Sequence, residues 1–358
     1  MNIFQLFRFG DDFPSNNEVR AIGQSLLGRR RGLDLRYDCK YLGEWRYLHI
    51  RPLEELRAKL QTLTKACGID NAVIAVRVKR MRAIRDKLLR FEGMSMERMQ
   101  DMAGARVIVE RVEDVYRVAD MLKTDIDYKD TITKTYDYIQ SPKPDGYRGL
   151  HLVLRVPHPE YEGKSVRIEL QIRTKTQHAW ATALETADFG FQTEMKTGAG
   201  DVAMRWYFLL VGSLFATKEN TPLPKALEGV DFAELLSQFV SLEKRLTLLD
   251  QLPKSGVETR IDETEYWSSE VVRTPNGWQI MTLDIAKKTL TTIPIFENIY
   301  GQEIFVEREY DTLPDRNVAV VLMKAGDERE IRAAYPNYFL DASELVRQID
   351  LIRWGTTL

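Results

Sequence analysis

Apolar and polar residues alternate along two neighbouring stretches in the middle of the chain. Every second residue is apolar from Val166 to Arg173, and the stretch from Leu150 to Val156 repeats the pattern. Because successive side chains of a strand point to opposite faces, both stretches are predicted to be β-strands with one face in a core. The opposite faces carry a carboxylate, an amide, an imidazole and guanidinium groups, from Glu169, Gln171, His151, Arg155 and Arg173. This pattern is typical either of a functional polar face or of an ordinary hairpin with a solvated side.

Elsewhere, apolar residues recur at spacings of three and four, which is typical of amphipathic helices. The predicted helices are Arg51–Leu63, a basic stretch from Val76 to Phe91, Glu113–Leu122, Thr174 to about residue 188, Asp201–Phe215, Phe232–Leu249 and Ala342–Trp354. Short strands are predicted at Trp278–Leu283, Thr291–Phe296, Glu303–Glu307 and Val318–Met323. This order of elements predicts an α+β fold, with a mostly antiparallel mixed sheet flanked by helices and a small C-terminal α+β domain.

Changes in the kind of predicted secondary structure divide the chain into four parts. Residues 1–70 form an N-terminal helical region, and residues 71–215 form the principal α+β domain. Residues 216–259 contain a connecting helix and a linker from Pro253 to Thr259. Residues 260–358 form the second, smaller domain, which shows no evident catalytic or metal-binding constellation.

The overall composition restricts the kinds of partner. The 358 residues are 44% hydrophobic and 29% charged with a net charge of −2, so any basic surface for nucleic acid must be local. Cys39 and Cys67 lack the spacing of a metal site and cannot build a disulfide framework. No apolar run approaches the roughly 20 residues of a membrane span. We expect a cytoplasmic protein with no membrane partner.

Two clusters of basic residues are candidates for binding phosphate. Arg29, Arg30 and Arg31 lie between two glycines, as in a solvated turn or a contact with a nucleic-acid backbone. The basic stretch from Val76 to Phe91 has few acidic residues within a helical turn of its cations, whereas solvated helices more often mix both charges. That imbalance favours a clamp for polyphosphate.

Further candidate residues lie on either side of the basic stretch and the alternating strands. The loop before Leu150 offers cations for phosphate and a ring for a base to stack on, from Lys143, Tyr147 and Arg148 around Gly146. Asp101 precedes a β-rich run, a common position for a Mg²⁺ ligand and equally for a turn or cap residue. Near the end of the chain, two tyrosines, Tyr335 and Tyr338, flank a proline turn that could plug a base-binding pocket.

Four of these motifs together resemble the synthetase domain of the RelA/SpoT family of nucleotide pyrophosphokinases. The resemblance covers about residues 70 to 190. Its motifs are the basic stretch from Arg77 to Lys87, Asp101 with Arg106 five residues later, the loop from Tyr136 to His151, and Glu169-x-Gln171-Ile172-Arg173-Thr174. The family's serine before Ile84 is Ala83 here, so its hydroxyl contact to phosphate is missing.

The resemblance implies transfer of the β,γ-pyrophosphate of ATP to a ribose 3′-hydroxyl. For the donor, it implies that Arg77 and Arg106 sandwich adenine, while Lys79, Lys87 and Arg106 neutralise phosphate. Asp101 would bind Mg²⁺, and Glu169 would share the metal or take the proton from the 3′-hydroxyl. For the acceptor, it implies stacking on Tyr147, with Lys143, Arg148, His151, Gln171 and Arg173 around the site.

The resemblance leaves the acceptor open. Either the 3′ end of tRNA or a guanosine nucleotide, GDP or GTP, would fit, and a non-enzymatic RNA-binding module is a third interpretation that Asp101 and Glu169 argue against. The domain order resembles fused toxin–antitoxin proteins of the CapRel type in anti-phage defence. There, a C-terminal Tyr-x-x-Tyr motif blocks the nucleotide site until a phage protein, such as the major capsid protein, binds.

That second resemblance favours tRNA as the acceptor. It implies that residues 71–215 are a toxic pyrophosphokinase domain and that residues 260–358 are its antitoxin-like regulator. Tyr335 and Tyr338 would be the autoinhibitory pair, and Arg29, Arg30 and Arg31 would contact RNA. Residues 1–70 contain one histidine, His49, with no neighbouring aspartate, so the metal motif of a hydrolase domain is not expected.

Overall fold

The computed structural model describes residues 13–29, 35–191, 201–252, 257–261, 275–296, 300–325 and 328–355. Within these ranges, the strands form one mixed sheet in the order β3-β4-β5-β2-β1-β9-β7-β8-β6. The strands are β1 Val73–Val78, β2 Ala103–Val109, β3 Ile132–Asp137, β4 Leu150–Pro157, β5 Ser165–Thr174, β6 Glu258–Ile261, β7 Pro275–Asp284, β8 Thr289–Phe296 and β9 Val318–Lys324.

Most neighbouring strands of this sheet are antiparallel. The exceptions are the pairs β2/β5 and β6/β8, which are parallel. The C-terminal strands extend the same sheet, because β9 pairs with β1 through Val76–Lys324 and Arg77–Met323. The predicted α+β class with a mostly antiparallel sheet is therefore confirmed, and its two parts meet at a junction of two residue pairs.

Helices cover the sheet and form an additional layer beside it. They are α1 Asn16–Leu26, α2 Leu35–Tyr47, α3 Ile50–Ala66, α4 Met81–Arg90, α5 Val112–Thr124, α6 Lys175–Phe191, α7 Val202–Lys218, α8 Phe232–Leu246, α9 Leu248–Gln251, α10 Tyr300–Thr312, α11 Glu328–Ala334 and α12 Ser343–Gly355. Helix α6 begins with a reciprocal cap, in which Gln177 N donates to Thr174 Oγ1 and Thr174 N donates to Gln177 Oε1.

The largest hydrophobic core is shared by both halves of the chain. Leu56 of α3 and Val76 of β1 belong to the same buried cluster as Trp278, Phe305 and Leu322 from the C-terminal strands and α10. A buried ion pair adds to this junction, since Arg46 of α2 bonds Glu309 of α10 at 2.5 Å with side chains 2% and 4% exposed. The C-terminal part is thus packed into the sheet and core of the rest.

Three features of the structure differ from the sequence predictions: the type of one element, the division of the basic stretch, and the exposure of Phe91. Glu303–Glu307 is predicted as a strand but lies in α10, because Val306, Tyr310 and Leu313 pack on one core at the spacings of four and three that a helix places on one face. The basic stretch from Val76 divides into the end of β1 and helix α4. At its end, Phe91, predicted to face inward, is 47% exposed.

Two further boundaries moved in the connecting region. The helix predicted to reach Leu249 ends at Leu246, where Thr247 takes a left-handed conformation with φ of 48°. The linker predicted to reach Thr259 ends earlier, because Glu258–Ile261 forms β6 on the sheet edge beside β8. The pairing of β6 with β8 is a contact between distant segments, which local spacing does not report.

Candidate active site

One face of the sheet collects polar side chains from five successive strands. Residues that pair across neighbouring strands share a face. Arg77 pairs with Gly104 in β2, two residues before Arg106. Arg106 pairs with Gln171, and Gln171 pairs with His151. The face therefore runs from β1 through β2 and β5 to β4, and it ends on the edge strand β3.

The strands β4 and β5 carry a continuous chain of hydrogen bonds. The Tyr147 hydroxyl donates to Nε2 of His151 at 2.5 Å, and Nδ1 of His151 donates to Oε1 of Glu169 at 3.2 Å. Gln171 donates to the other oxygen of Glu169 at 2.8 Å. Arg173 donates to the Tyr147 oxygen at 2.6 Å and to Gln171 at 2.7 Å. Five predicted site residues are thus brought together.

Burial and hydrogen bonding fix the charge of this chain. Burial lowers the pKa of His151, so the imidazole is neutral near pH 7. Burial alone would raise the pKa of Glu169, but the bonds from His151 and Gln171 outweigh it and lower that pKa. Burial raises the pKa of Tyr147 to about 12. The arrangement is an ionised carboxylate, a neutral imidazole and a protonated phenol.

Asp101 lies where β2 begins, between two lysines. Lys79 donates to one carboxylate oxygen at 2.7 Å and Lys87 of α4 donates to the other at 2.8 Å. Burial opposes ionisation of Asp101, and the two lysine charges outweigh it and lower its pKa. The charge of Lys79 also contributes to lowering the pKa of Glu169. Lys79 is therefore near both carboxylates.

The side of the face that carries Arg77 and Arg106 is in contact with the C-terminal part of the chain. The guanidinium groups of Arg77 and Arg106 lie 5.9 Å and 5.0 Å from the ring centre of Tyr335, which is 2% exposed. Arg106 donates to the carbonyl of Ala334 at 2.6 Å, and His178 of α6 donates to the carbonyl of Ala333 at 2.9 Å. The end of α11 therefore accepts hydrogen bonds from Arg106 of the sheet face and from His178 of α6.

The second tyrosine of the pair lies beside the first. The ring centres of Tyr335 and Tyr338 are 6.3 Å apart, and the guanidinium of Arg80 is 5.8 Å from the Tyr338 ring. Tyr338 is buried in the same cluster as Tyr335, Leu340 and strand β9. Both tyrosines thus contact arginines at the end of β1 or the start of α4.

The loop that contains Gly146, Tyr147 and Arg148 is held against α7. Gly146 has φ of +91°, and a Cβ there would lie 3.3 Å from Leu209. A Cβ on Gly212 would lie 2.8 Å from the Gly146 carbonyl. Arg148 points away from the polar face, because it is buried against Glu219 and Thr221 at 2.8 Å each. Arg148 therefore anchors the loop and lies apart from the other predicted acceptor residues.

The remaining predicted residues, Lys143 and the arginines 29–31, lie in different surroundings. The ammonium of Lys143 lies 4.8 Å from the Tyr147 ring and 4.3 Å from the Tyr138 ring. Arg29 is exposed after α1, and Arg30 and Arg31 lie outside the described residues. His178 is not among the predicted site residues, and Arg80 is predicted only as one of the cations of the basic stretch from Val76 to Phe91. Their contacts here are to a backbone carbonyl and to Tyr338, which have no signal in local sequence.

A sheet face that gathers cations beside carboxylates suits a nucleotide with metal-bound phosphates. The sequence signature described as "Region found in RelA / SpoT proteins" matches residues 76–195. GTP pyrophosphokinase YjbM of Bacillus subtilis is 32% identical over 147 residues, which are 39% of this chain and 69% of YjbM. The chain belongs to the RelA/SpoT family, and the family predicted from the motifs is confirmed.

Other relatives match different shares of this chain and of their own length. GTP pyrophosphokinase YwaC of Bacillus subtilis is 39% identical over 117 residues, so this chain spans about half (52%) of YwaC and the match covers 30% of this chain. The GTP pyrophosphokinase of Escherichia coli K12 is 30% identical over 165 residues, covering 46% of this chain and 20% of that protein. The structure of small alarmone synthetase 1 from Bacillus subtilis bound to pppGpp has a TM-score of 0.41 and 26% identity, covering 49% of this chain and 90% of that one.

Proposed function

We propose that this protein is a pyrophosphokinase that transfers the β,γ-pyrophosphate of ATP to a ribose 3′-hydroxyl. The catalytic pair is Asp101 and Glu169. Glu169 is ionised and is held by His151 and Gln171, so it would share the metal or orient the attacking hydroxyl and take its proton. Lys79 and Lys87 lie where they would neutralise the transferred phosphates, which is the main requirement of phosphoryl transfer.

The donor subsite is the surface around Arg77 and Arg106. Two guanidinium groups that both approach one aromatic ring, here that of Tyr335, are placed to stack on an adenine ring in its stead. The single observation that carries the proposal is this arrangement beside the Asp101 and Glu169 carboxylates. The names of the relatives, all GTP pyrophosphokinases, support the reaction type.

We include Mg²⁺ as the metal of this reaction. Asp101 and Glu169 are the carboxylates that would hold it, and substrate phosphates would complete its oxygen ligands. The chemistry of the set fits, because Lys79 and Lys87 now neutralise Asp101 with the positive charge that a bound cation would supply. Bound Mg²⁺ would neutralise charge on the transferred phosphates.

For the acceptor, we propose the 3′ end of tRNA, so that the product blocks translation. Two observations support this acceptor over a free nucleotide. The donor arginines contact a C-terminal segment, which is a restraint suited to a toxic activity. Arg29, the described member of the predicted RNA-binding cluster, is exposed. The alternative acceptor is GDP or GTP, which the names of the relatives favour.

We propose further that the C-terminal part holds the enzyme inactive. Tyr335 lies at the two arginines that adenine would need, and Arg106 is already bonded to Ala334. ATP and the end of α11 would then exclude each other. A phage protein, such as the major capsid protein, would trigger the enzyme by binding residues 260–358 and drawing this segment out.

The test supplies ATP labelled on its γ-phosphate with GDP, GTP and deacylated tRNA in parallel. The full chain and a Tyr335→Ala/Tyr338→Ala variant are compared, and Asp101→Asn in the same background is the inactive control. Label on tRNA from the tyrosine variant supports the proposal. Label on guanosine nucleotides alone identifies the alternative acceptor. No label on any acceptor would support the interpretation as a binding module and contradict the proposed enzyme.

A further inference from the structure

Beyond the acceptor site, the polar face ends in a row of aromatic rings on the sheet edge. Tyr136 pairs directly with His151, and Lys134, two residues earlier, pairs with Val153. Both therefore share the face that carries Glu169, Gln171 and His151. β3 is the last strand of the sheet on this side. Continuing along the face from the reaction centre, a ligand would meet these residues next.

The rings in this row are arranged as a platform. Tyr136 and Tyr138 are parallel, with an interplanar angle of 3° and centres 5.9 Å apart. Tyr138 also meets the Tyr147 ring edge-on at 5.9 Å, so the row is continuous with the predicted acceptor-stacking residue. Tyr136 and Tyr138 are both partly exposed. Both side chains therefore keep part of their surface accessible to a planar ligand.

Cations accompany the platform. The ammonium of Lys143 lies 4.3 Å from the centre of the Tyr138 ring, and Lys134 is exposed on the same face as Tyr136. Aromatic rings beside lysines, along an open track, are what proteins use to bind single-stranded nucleic acid without reading its sequence. A mononucleotide acceptor would fill the Tyr147 subsite and leave this row unused.

We infer that Tyr136 and Tyr138, with Lys143 and Lys134, form an extension subsite for the nucleotides that precede the terminal one at a free RNA 3′ end. This inference rests on the proposed function, because it takes the ribose at the reaction centre to be the last residue of a chain. Tyr147 stacks the terminal base, and the tyrosine platform binds the next one or two bases. The subsite would let the enzyme favour a polynucleotide over a free nucleotide.

The experiment measures affinity as a function of ligand length. The full chain is titrated into 5′-fluorescein-labelled AMP, CpA and CpCpA, all with free 3′-hydroxyls, and anisotropy gives each Kd. We expect CpCpA to bind roughly 10-fold or more tighter than AMP, since one base stacked on an aromatic ring contributes about 5- to 150-fold. Tyr136→Ala should abolish most of this ratio, whereas Tyr136→Phe, which keeps the ring, should retain it.

The measured quantity is the ratio of the Kd for AMP to the Kd for CpCpA. A variant that weakens binding of both ligands equally leaves this ratio unchanged. Tyr47→Ala, which removes an exposed tyrosine of α2, is the matched control and should leave the ratio unchanged. An equal ratio in the parent chain and Tyr136→Ala would overturn the inference. The transfer assay distinguishes failure of the extension subsite from failure of the proposed RNA acceptor. Label on tRNA with an unchanged ratio removes only the subsite, and label on GDP or GTP alone with no gain from length removes the proposed acceptor as well.

Discussion

Tyr147 combines a ring and a hydroxyl whose contributions to the site are separable. Its ring lies beside Lys143 and the Tyr138–His151 pair, while its hydroxyl bonds His151 and Arg173. The ring would hold the acceptor base, and the hydroxyl orients the imidazole that fixes Glu169. A substitution that removes only one of these groups distinguishes substrate binding from positioning of the base.

We predict that Tyr147→Ala lowers turnover on the acceptor at least about 100-fold, because both the stacking ring and the hydroxyl are lost. Tyr147→Phe keeps the ring and should lose less, about 10-fold, mainly in kcat, because His151 loses one of its two partners. Steady-state kinetics in the Tyr335→Ala background would measure both. Circular dichroism should show that each variant remains folded, and equal losses for Ala and Phe would refute the separate contribution of the ring.

His49 is a residue whose effect on stability depends on pH. It is 1% exposed, its Nδ1 bonds the Trp45 carbonyl at 2.9 Å, and burial lowers its pKa to about 4. An unfolded histidine has a pKa near 6.5, so below that pH the unfolded chain binds a proton that the folded chain does not. The free energy of unfolding therefore falls as pH falls from about 6.5 toward 4.

We predict that His49 accounts for a loss of about 2 kcal/mol in the free energy of unfolding between pH 7 and pH 5. Urea unfolding of the full chain at both pH values measures the total loss. His49→Gln, which has no titrating group but retains a donor, should show a loss smaller by about that amount. If the two proteins lose stability in parallel, the burial of His49 has no such effect.

At the scale of elements, helix α10 joins the two halves through Glu309. This carboxylate accepts from Arg46 of α2 and from the Met81 backbone N–H at 2.7 Å, so it caps the first turn of the basic helix α4. Arg82 of α4 in turn donates to the carbonyls of Leu313 and Asp315 just after α10, at 2.6 Å each. Helix α4 thus depends on a C-terminal residue for its N-terminal cap.

We predict that Glu309→Ala lowers the free energy of unfolding by roughly 3–5 kcal/mol, because Arg46 would be left buried without its counter-charge. Glu307→Ala on the exposed side of the same helix is the matched control, with an expected change within about 0.5 kcal/mol. Chemical denaturation of both variants tests this. A loss of under about 1 kcal/mol for Glu309→Ala would show that the pair does not hold the two halves together.

The elements differ in how well the sequence predicts them, and the reason is physical. The strands at Leu150 and Val166 have strict alternation because one face is in the core, and this alternation predicts both strands and the residues on the polar face of each. Arg148 was placed among the acceptor residues by its neighbours in sequence, yet its partner Glu219 is 71 residues away. The cap from Glu309 to α4 spans 228 residues and leaves no local pattern.

At the scale of the whole molecule, the two halves share a sheet and a core. β1 is joined to β9 at Arg77, a predicted ATP ligand, and Trp278, Phe305 and Leu322 fill the core beneath β1. No helix among the described residues has the length and apolar character needed to cross a membrane. Removing residues 260–358 would therefore relieve contacts at the donor site and also open the core.

We predict that two ways of removing the proposed C-terminal inhibition, a double tyrosine substitution and a deletion, differ in how much they lower the soluble yield of the protein. Tyr335→Ala/Tyr338→Ala should increase growth inhibition in cells and should lower the soluble yield less than the deletion does, because it removes two side chains from a single buried cluster. Deletion of residues 260–358 should increase toxicity per molecule but lower the soluble yield several-fold, because apolar residues of β1 and α3 lose their partners. Growth curves with matched immunoblots measure both. Unchanged growth with the double tyrosine variant would contradict autoinhibition by this pair.

The shared core also matters while the chain is being made. Residues up to Arg173 leave the ribosome about 160 residues before Tyr335, a delay of roughly 8 to 30 s at typical rates of synthesis. A catalytic part that folded alone would be unrestrained for all of that time. Because Trp278, Phe305 and Leu322 belong to the core beneath β1, the packing of that core is complete only after residue 322 has been synthesised. If the proposed inhibition by the C-terminal part holds, the order of translation would shorten the time in which an unrestrained enzyme is present in the cell.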